Sequence, residues 1–157
     1  MVDPGEIFAW HRLGDRLTTS GQPTEEQLAG LRAIGVQHII NLALHTHEKA
    51  SADEASSVSA LGMIYTHIPV AFDAPTEQDY ASFCSAMASA GGAKVHVHCI
   101  MNFRVSAFLF RYRQEFMGVT EPLARAEMEN IWQPGGVWAA FVGDEASVEL
   151  PHRGPRI

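Results

Sequence analysis

Between Lys94 and Phe108 the chain reads KVHVHCIMNFRVSAF, and within these residues its apolar period changes from that of a strand to that of a helix. Val95 and Val97 alternate with His96 and His98, the period of two of a short β-strand. From Asn102 or Phe103 onward Val105, Phe108, Leu109 and Tyr112 recur at helical intervals, with Arg111, Arg113 and Gln114 free to face water. A strand, a turn and a helix therefore follow in order, with Cys99 at the carboxyl end of the strand. The turn's N–H groups and the helix amino terminus make an anion site, and the same field favours a thiolate. Arg104, five positions on, supplies a planar donor fork for two oxygens of a phosphate or sulfur oxyanion. The competing reading is a buried structural cysteine beside a surface arginine. The strand-to-helix setting, the preceding histidine and the nearby arginine together favour the reactive thiol.

The rest of the chain alternates strands and helices. Leu17 to Thr19 reads as a short strand, and SGQP, Ser20 to Pro23, as a turn into a helix capped by Thr24 with Gln27 three residues later. Leu28, Leu31 and Ile34 form its buried stripe and Gly35 ends it. Val36 to Leu44 is strand-like, Ser51 with Glu54 opens a second helix, and Met63 to Val70 is another strand. After the loop AFDAP, a helix from Thr76 with Asp79 turns Phe83, Cys84 and Met87 inward and stops at Gly91 and Gly92. Phe103 to about Met117, a helix from Thr120 and Pro122, and a short helix in GGVWAAFV complete the order. This pattern predicts an α/β fold of three layers, a mainly parallel central sheet with helices on both faces. Residues 1–150 form one domain, and 151–157, poor in apolar residues, form a loose tail.

In such a sheet the loops after the strands meet at one rim, where ligands bind. Ala43 to Lys49, Ala71 to Pro75 and Cys99 to Val105 are thereby brought together. Asp73 in the second loop is a candidate proton donor to a leaving oxygen, although a turn or cap aspartate is the commoner use beside Pro75. His45, His47 and Glu48 either shape the mouth of the site or are solvated.

With 18 Asp and Glu against 11 Lys and Arg, the chain lacks the broad positive face of a nucleic-acid or anionic-membrane binder, so an anion must be captured locally. Two cysteines, no signal-like start and no long apolar run point to the cytoplasm. The pairs His45 with His47 and His96 with His98 suit a metal by spacing, but no fuller ligand pattern accompanies them. No metal or cofactor is expected.

Taken together, TSGQPTEEQL, HIINLALHTHE, ALGMIYTHIPV with its following FDAPT, and VHVHCIMNFRVSAF resemble the bacterial protein tyrosine phosphatase-like family. That family is related to the dual-specificity phosphatases and includes the beta-lactamase-hydrolase-like domains. The likeness runs from about Leu13 to Val142 and implies a cysteine-phosphatase fold acting on a phosphorylated protein or small molecule. By this resemblance Cys99 attacks phosphorus, Arg104 binds the equatorial oxygens and Asp73 is the general acid. The loop from Ile100 through Met101, Asn102, Phe103 and Val105 cradles the phosphate. Ser106 hydrogen-bonds the departing thiolate, and His98 supports the loop. Four residues separate Cys99 from Arg104 where phosphatase loops usually have five, and Asn102 stands at the usual glycine. The four-residue count also resembles rhodanese sulfurtransferases, which form a cysteine persulfide. Sulfur transfer and non-catalytic binding of a phosphate or phosphoprotein are therefore the alternatives to phosphatase chemistry.

Overall fold

The computed structural model describes residues 2–156. Five strands, β1 (His11–Gly14), β2 (Leu17–Ser20), β3 (His38–Asn41), β4 (Ile64–His67) and β5 (Val95–His98), form one sheet in the order β1-β2-β5-β3-β4. Only β1 runs antiparallel, to β2; the other neighbours are parallel. The register places Ser20, Asn41 and His98 side by side, with His67 opposite Asn41. The carboxyl ends of four strands thus lie in step along one rim.

Helices α1 (Glu25–Ala33) and α2 (Glu54–Ala60) cover one face, and α3 (Glu77–Ala90), α4 (Phe103–Phe116), α5 (Glu121–Glu129) and α6 (Gly136–Val142) build the other. The period of two in β3 feeds both cores: Ile39 packs with Leu28, Leu31 and Val58, whereas Ile40 joins Val97, Phe83, Phe108 and Trp138. The three-layer α/β architecture is the one the alternating pattern implied. Thr24 and Thr76 each close a capping box, with Gln27 and Asp79 respectively.

Several details differ from the sequence reading. β1 was absent from it because HRLG is polar and half-exposed, and its pairing with β2 sustains it. The second helix begins at Glu54 rather than Ser51, because Asp53 in a left-handed conformation caps it through Ser56 N–H. Arg113 is buried rather than solvated, and its charge is met by Glu127. Residues 151–156, expected as a loose tail, make defined contacts: Arg153 bridges to Gln133, Arg156 N–H donates to Glu129 O, and His152 packs on Trp132 and Phe72. Single polar and aromatic side chains supply the anchorage that apolar content alone did not suggest.

Candidate active site

The three loops do meet. Leu44, Thr46 and His47 from the first, Phe72 from the second, and Cys99, Ile100, Met101, Phe103 and Arg104 from the third enclose a cleft of about 470 Å³. Cys99 sits at its floor, only 1% exposed. Arg104 is likewise buried in the wall, where its Nη1 donates to Val70 O at 2.8 Å. Its Nε is buried with no protein partner, and such an orphaned donor is costly unless a ligand or water accepts from it. The guanidinium also lies 5.8 Å from the centre of the Phe72 ring.

The backbone between these side chains is equally unspent. Among the described residues, none of the N–H groups from Ile100 to Val105 donates to a protein acceptor; the first engaged is Ser106 N–H, to Asn102 O. Asn102 takes a left-handed conformation, φ 68°, as it caps α4. Only glycine and, less readily, asparagine or aspartate adopt that conformation without large strain. This explains why asparagine can stand at a position where glycine is usual. Its side chain then does what glycine cannot, Nδ2 donating to Ala9 O at 2.9 Å and Thr19 Oγ1 at 3.1 Å. Asn102 is therefore fully buried behind the loop and does not itself line the cleft.

The SGQP turn braces the loop from the other side. Gln22 N–H donates to Ile100 O at 3.0 Å, and a Cβ on Gly21 would stand 2.3 Å from the same oxygen. Gly21 is thus required by close approach. Gln22 Nε2 reaches Glu54 Oε1 at 2.8 Å, while Glu54 Oε2 lies 2.6 Å from His98 Nε2. His98 Nδ1 is 3.0 Å from Cys99 O; a carbonyl can only accept, so Nδ1 is the donor there. Burial pushes the Glu54 carboxyl up, but His98 and the hydrogen bonds from His98 and Gln22 outweigh it and hold the group below its usual range. Sequence reasoning placed His98 in a supporting role but missed Glu54, whose only signal was an acidic residue in the first turn of a helix.

The remaining candidates divide. Ile100, Met101 and Phe103 line the cleft, whereas Val105 is core. Ser106 Oγ donates to Phe103 O and accepts from Trp132 Nε1, both within 2.9 Å, and lines a different, small cavity with Thr19 and Arg113. Its hydroxyl is engaged by Phe103 and Trp132 and makes no hydrogen bond to Cys99. Asp73 is exposed on the turn closed by Ala74 N–H to Ala71 O and is not among the residues of the cleft wall. Phe72 next to it is fixed by Trp138 Nε1, which donates to its carbonyl at 2.5 Å.

The histidine pairs separate too. His45 stacks on His67 with ring centres 3.7 Å apart, His47 enters the cleft, and His96 is buried between the hydroxyls of Thr18 and Ser20. Among the described residues no group of three or more His, Cys, Asp or Glu is arranged to hold a metal ion.

Comparison with known proteins bears on the fold and the family. The chain is 30% identical to a DUF442 protein of Shewanella putrefaciens CN-32, with a TM-score of 0.81 over 96% of this chain and 98% of that one. Pseudomonas aeruginosa TpbA, solved in complex with pTyr, shares the fold with a TM-score of 0.66 at 19% identity, over 96% of this chain and 88% of that one. A beta-lactamase hydrolase-like protein of Agrobacterium fabrum is 37% identical over 91 residues, 56% of this chain. The matched stretch covers 21% of that relative, so this chain corresponds to a fraction of its length. The family described as DSP-PTPase phosphatase fused to NAD+ kinase matches residues 11–137. The chain therefore belongs to that family, one of the bacterial protein tyrosine phosphatase-like proteins whose fold and cysteine loop it carries.

Proposed function

We propose that the protein is a cysteine-dependent phosphatase that hydrolyses a phosphomonoester through a phosphocysteine intermediate. The observation that carries this reading is the concentration of unused donors around one thiol. Six successive N–H groups, Ile100 to Val105, and the buried Nε of Arg104 have no protein acceptor, and all belong to the loop and helix start that follow Cys99. Donors held in place by the fold stabilise the charge on the equatorial oxygens of a transferring phosphoryl group without reorganising.

In the proposed reaction the Cys99 thiolate attacks phosphorus in line with the ester oxygen. The P–O bond breaks as the P–S bond forms, and Asp73 gives the leaving oxygen its proton. Water, giving a proton to Asp73, then attacks the phosphocysteine; the new P–O bond forms as the P–S bond breaks, the Cys99 thiolate is restored and inorganic phosphate leaves. The Arg104 hydrogen bond to Val70 O ties the anion site to the segment after β4 that leads into the Asp73 loop. The apolar wall of Phe72, Phe103, Leu44 and Met101 suits an aromatic or aliphatic leaving group. Both cysteines are free thiols, as a reducing compartment such as the cytoplasm requires. No helix among the described residues is long and apolar enough to cross a membrane.

Release of phosphate from p-nitrophenyl phosphate by wild type, Cys99→Ser and Arg104→Ala tests the reading. Turnover in wild type and its loss in both variants is the expected result. Wild-type turnover no higher than that of Cys99→Ser overturns it. In that case Cys99-dependent thiosulfate–cyanide exchange would indicate sulfur transfer, and oxyanion affinity without either reaction a binding protein.

A further inference from the structure

A second cleft, of about 350 Å³, adjoins the first and shares with it Ile100 and Met101 of the cysteine loop. Its walls are Phe8 and Met101, and its polar groups are Lys49, Ser51, Thr24 and Gln22. One loop serves both clefts: Leu44, Thr46 and His47 face the first, Lys49 and Ser51 the second. The cleft over Cys99 and the cleft that holds Lys49 thus meet along Ile100 and Met101.

Lys49 is unusual in this acidic chain. Of the lysines and arginines among the described residues, only Lys49 and Arg16 form neither an ion pair nor a side-chain hydrogen bond; Lys94 and Arg32 hold backbone carbonyls, and most other arginines meet carboxylates. The exposed acidic residues flanking the cleft in sequence, Glu25, Glu26, Glu48 and Asp53, do not line it, and buried Glu54, which accepts from Gln22, is turned to His98. Gln22 Oε1 is buried there without a partner and can accept from a hydroxyl of an occupant or from water.

Resting on the phosphatase reading, we propose that this second cleft is a subsite for a further anionic group, phosphate or carboxylate, carried by the leaving group of the substrate. The phosphoryl group lies over Cys99, the leaving group crosses Met101, and Lys49 with the hydroxyls of Ser51 and Thr24 receives the second anion. The substrates favoured are then phosphomonoesters with two anionic ends rather than simple alkyl or aryl phosphates.

The test compares phenyl phosphate with a series of carboxyalkylphenyl phosphates of increasing spacer length, by kcat/KM on wild type and by calorimetric affinity on Cys99→Ser. At the spacer that reaches Lys49 the carboxylate should improve kcat/KM about fivefold. Lys49→Ala should bring the ratio of the two esters to parity, and Lys49→Glu should invert it. Arg16→Ala, an equal loss of charge at the opposite rim of the sheet, should keep the ratio. A wild-type ratio of one at every spacer, or a ratio unchanged in Lys49→Ala, overturns the subsite while leaving the phosphatase intact. Lys49-dependent affinity for the carboxylate ester without turnover keeps the subsite and overturns the phosphatase; absence of both binding and turnover overturns the two together. Phosphotyrosine peptides with and without a flanking aspartate, run alongside, distinguish a carboxylate on a peptide from one on a small ester.

Discussion

His98 Nε2 and Glu54 Oε2 stand 2.6 Å apart with both side chains buried, and through this contact α2 is joined to the backbone of the cysteine loop. The two groups are joined by one hydrogen bond in a dry setting, where losing one partner leaves the other without solvation. Glu54→Ala and His98→Ala should each cost about 3–5 kcal/mol in urea unfolding. The double variant should cost less than their sum, by about 0.5–3 kcal/mol. Simple additivity would mean that the two side chains act independently, against the geometry. Glu54→Gln, which keeps the shape and a hydrogen bond, should retain more turnover than Glu54→Ala.

Gly21 makes a sharper prediction, because the obstacle is backbone. Its added Cβ would lie 2.3 Å from Ile100 O and 2.8 Å from Phe8 Cδ2. Either the SGQP turn or the cysteine loop has to move, and the Gln22 to Ile100 hydrogen bond is strained with it. Gly21→Ala should lower stability by about 1–3 kcal/mol and turnover by about a hundredfold, the expected cost of an error near 1 Å at a reacting centre. A Gly21→Ala protein with wild-type kcat/KM would show that this turn does not set the loop.

How much of this could be read in the chain follows the range of the interactions. The change of period at Cys99, the capping boxes at Thr24 and Thr76 and the glycine stops are local, and the sequence displays them directly. The convergence of three loops follows from the parallel order, so the sequence itself brings Cys99, Arg104, Met101 and Phe103 together. Glu54 could not, since its burial arises from contacts with Gln22 and His98, 32 and 44 residues away. Ser106 illustrates the opposite error. Its spacing from Cys99 fits a thiolate partner, but Trp132, 26 residues on, claims the hydroxyl. Asn102 reads as a departure in a motif and as a solution in space, with left-handed backbone plus two hydrogen bonds behind the loop.

His96 predicts the acid side of the stability profile. Burial, with a smaller contribution from His98, holds its pKa well below 6.5, so the folded protein keeps this ring neutral while the unfolded chain protonates it. The unfolded state then binds more protons, and stability falls as pH drops below about 6.5, by about 1.4 kcal/mol per pH unit for this group. The loss continues down to the depressed folded-state value. His38, His67, His11 and His152 are shifted the same way by burial and add to the slope. In His96→Gln the urea midpoint should depend less steeply on pH in this range; an unchanged slope would assign the dependence to the other histidines.

Asp73 follows Phe72, which lines the cleft, and lies three residues beyond Val70, whose carbonyl Arg104 holds. If it protonates the leaving oxygen, its importance must follow how badly that oxygen needs a proton. Asp73→Asn should therefore slow phenyl phosphate by about 10² to 10⁴. p-Nitrophenyl phosphate, whose leaving oxygen departs readily as an anion, should be slowed far less. Because asparagine preserves the shape and turn propensity of aspartate, a structural role predicts equal, small effects on both esters. Equal effects in the kcat/KM series would remove Asp73 from the proton transfer and leave the leaving oxygen to be protonated by water or by His47, the one histidine in the cleft wall.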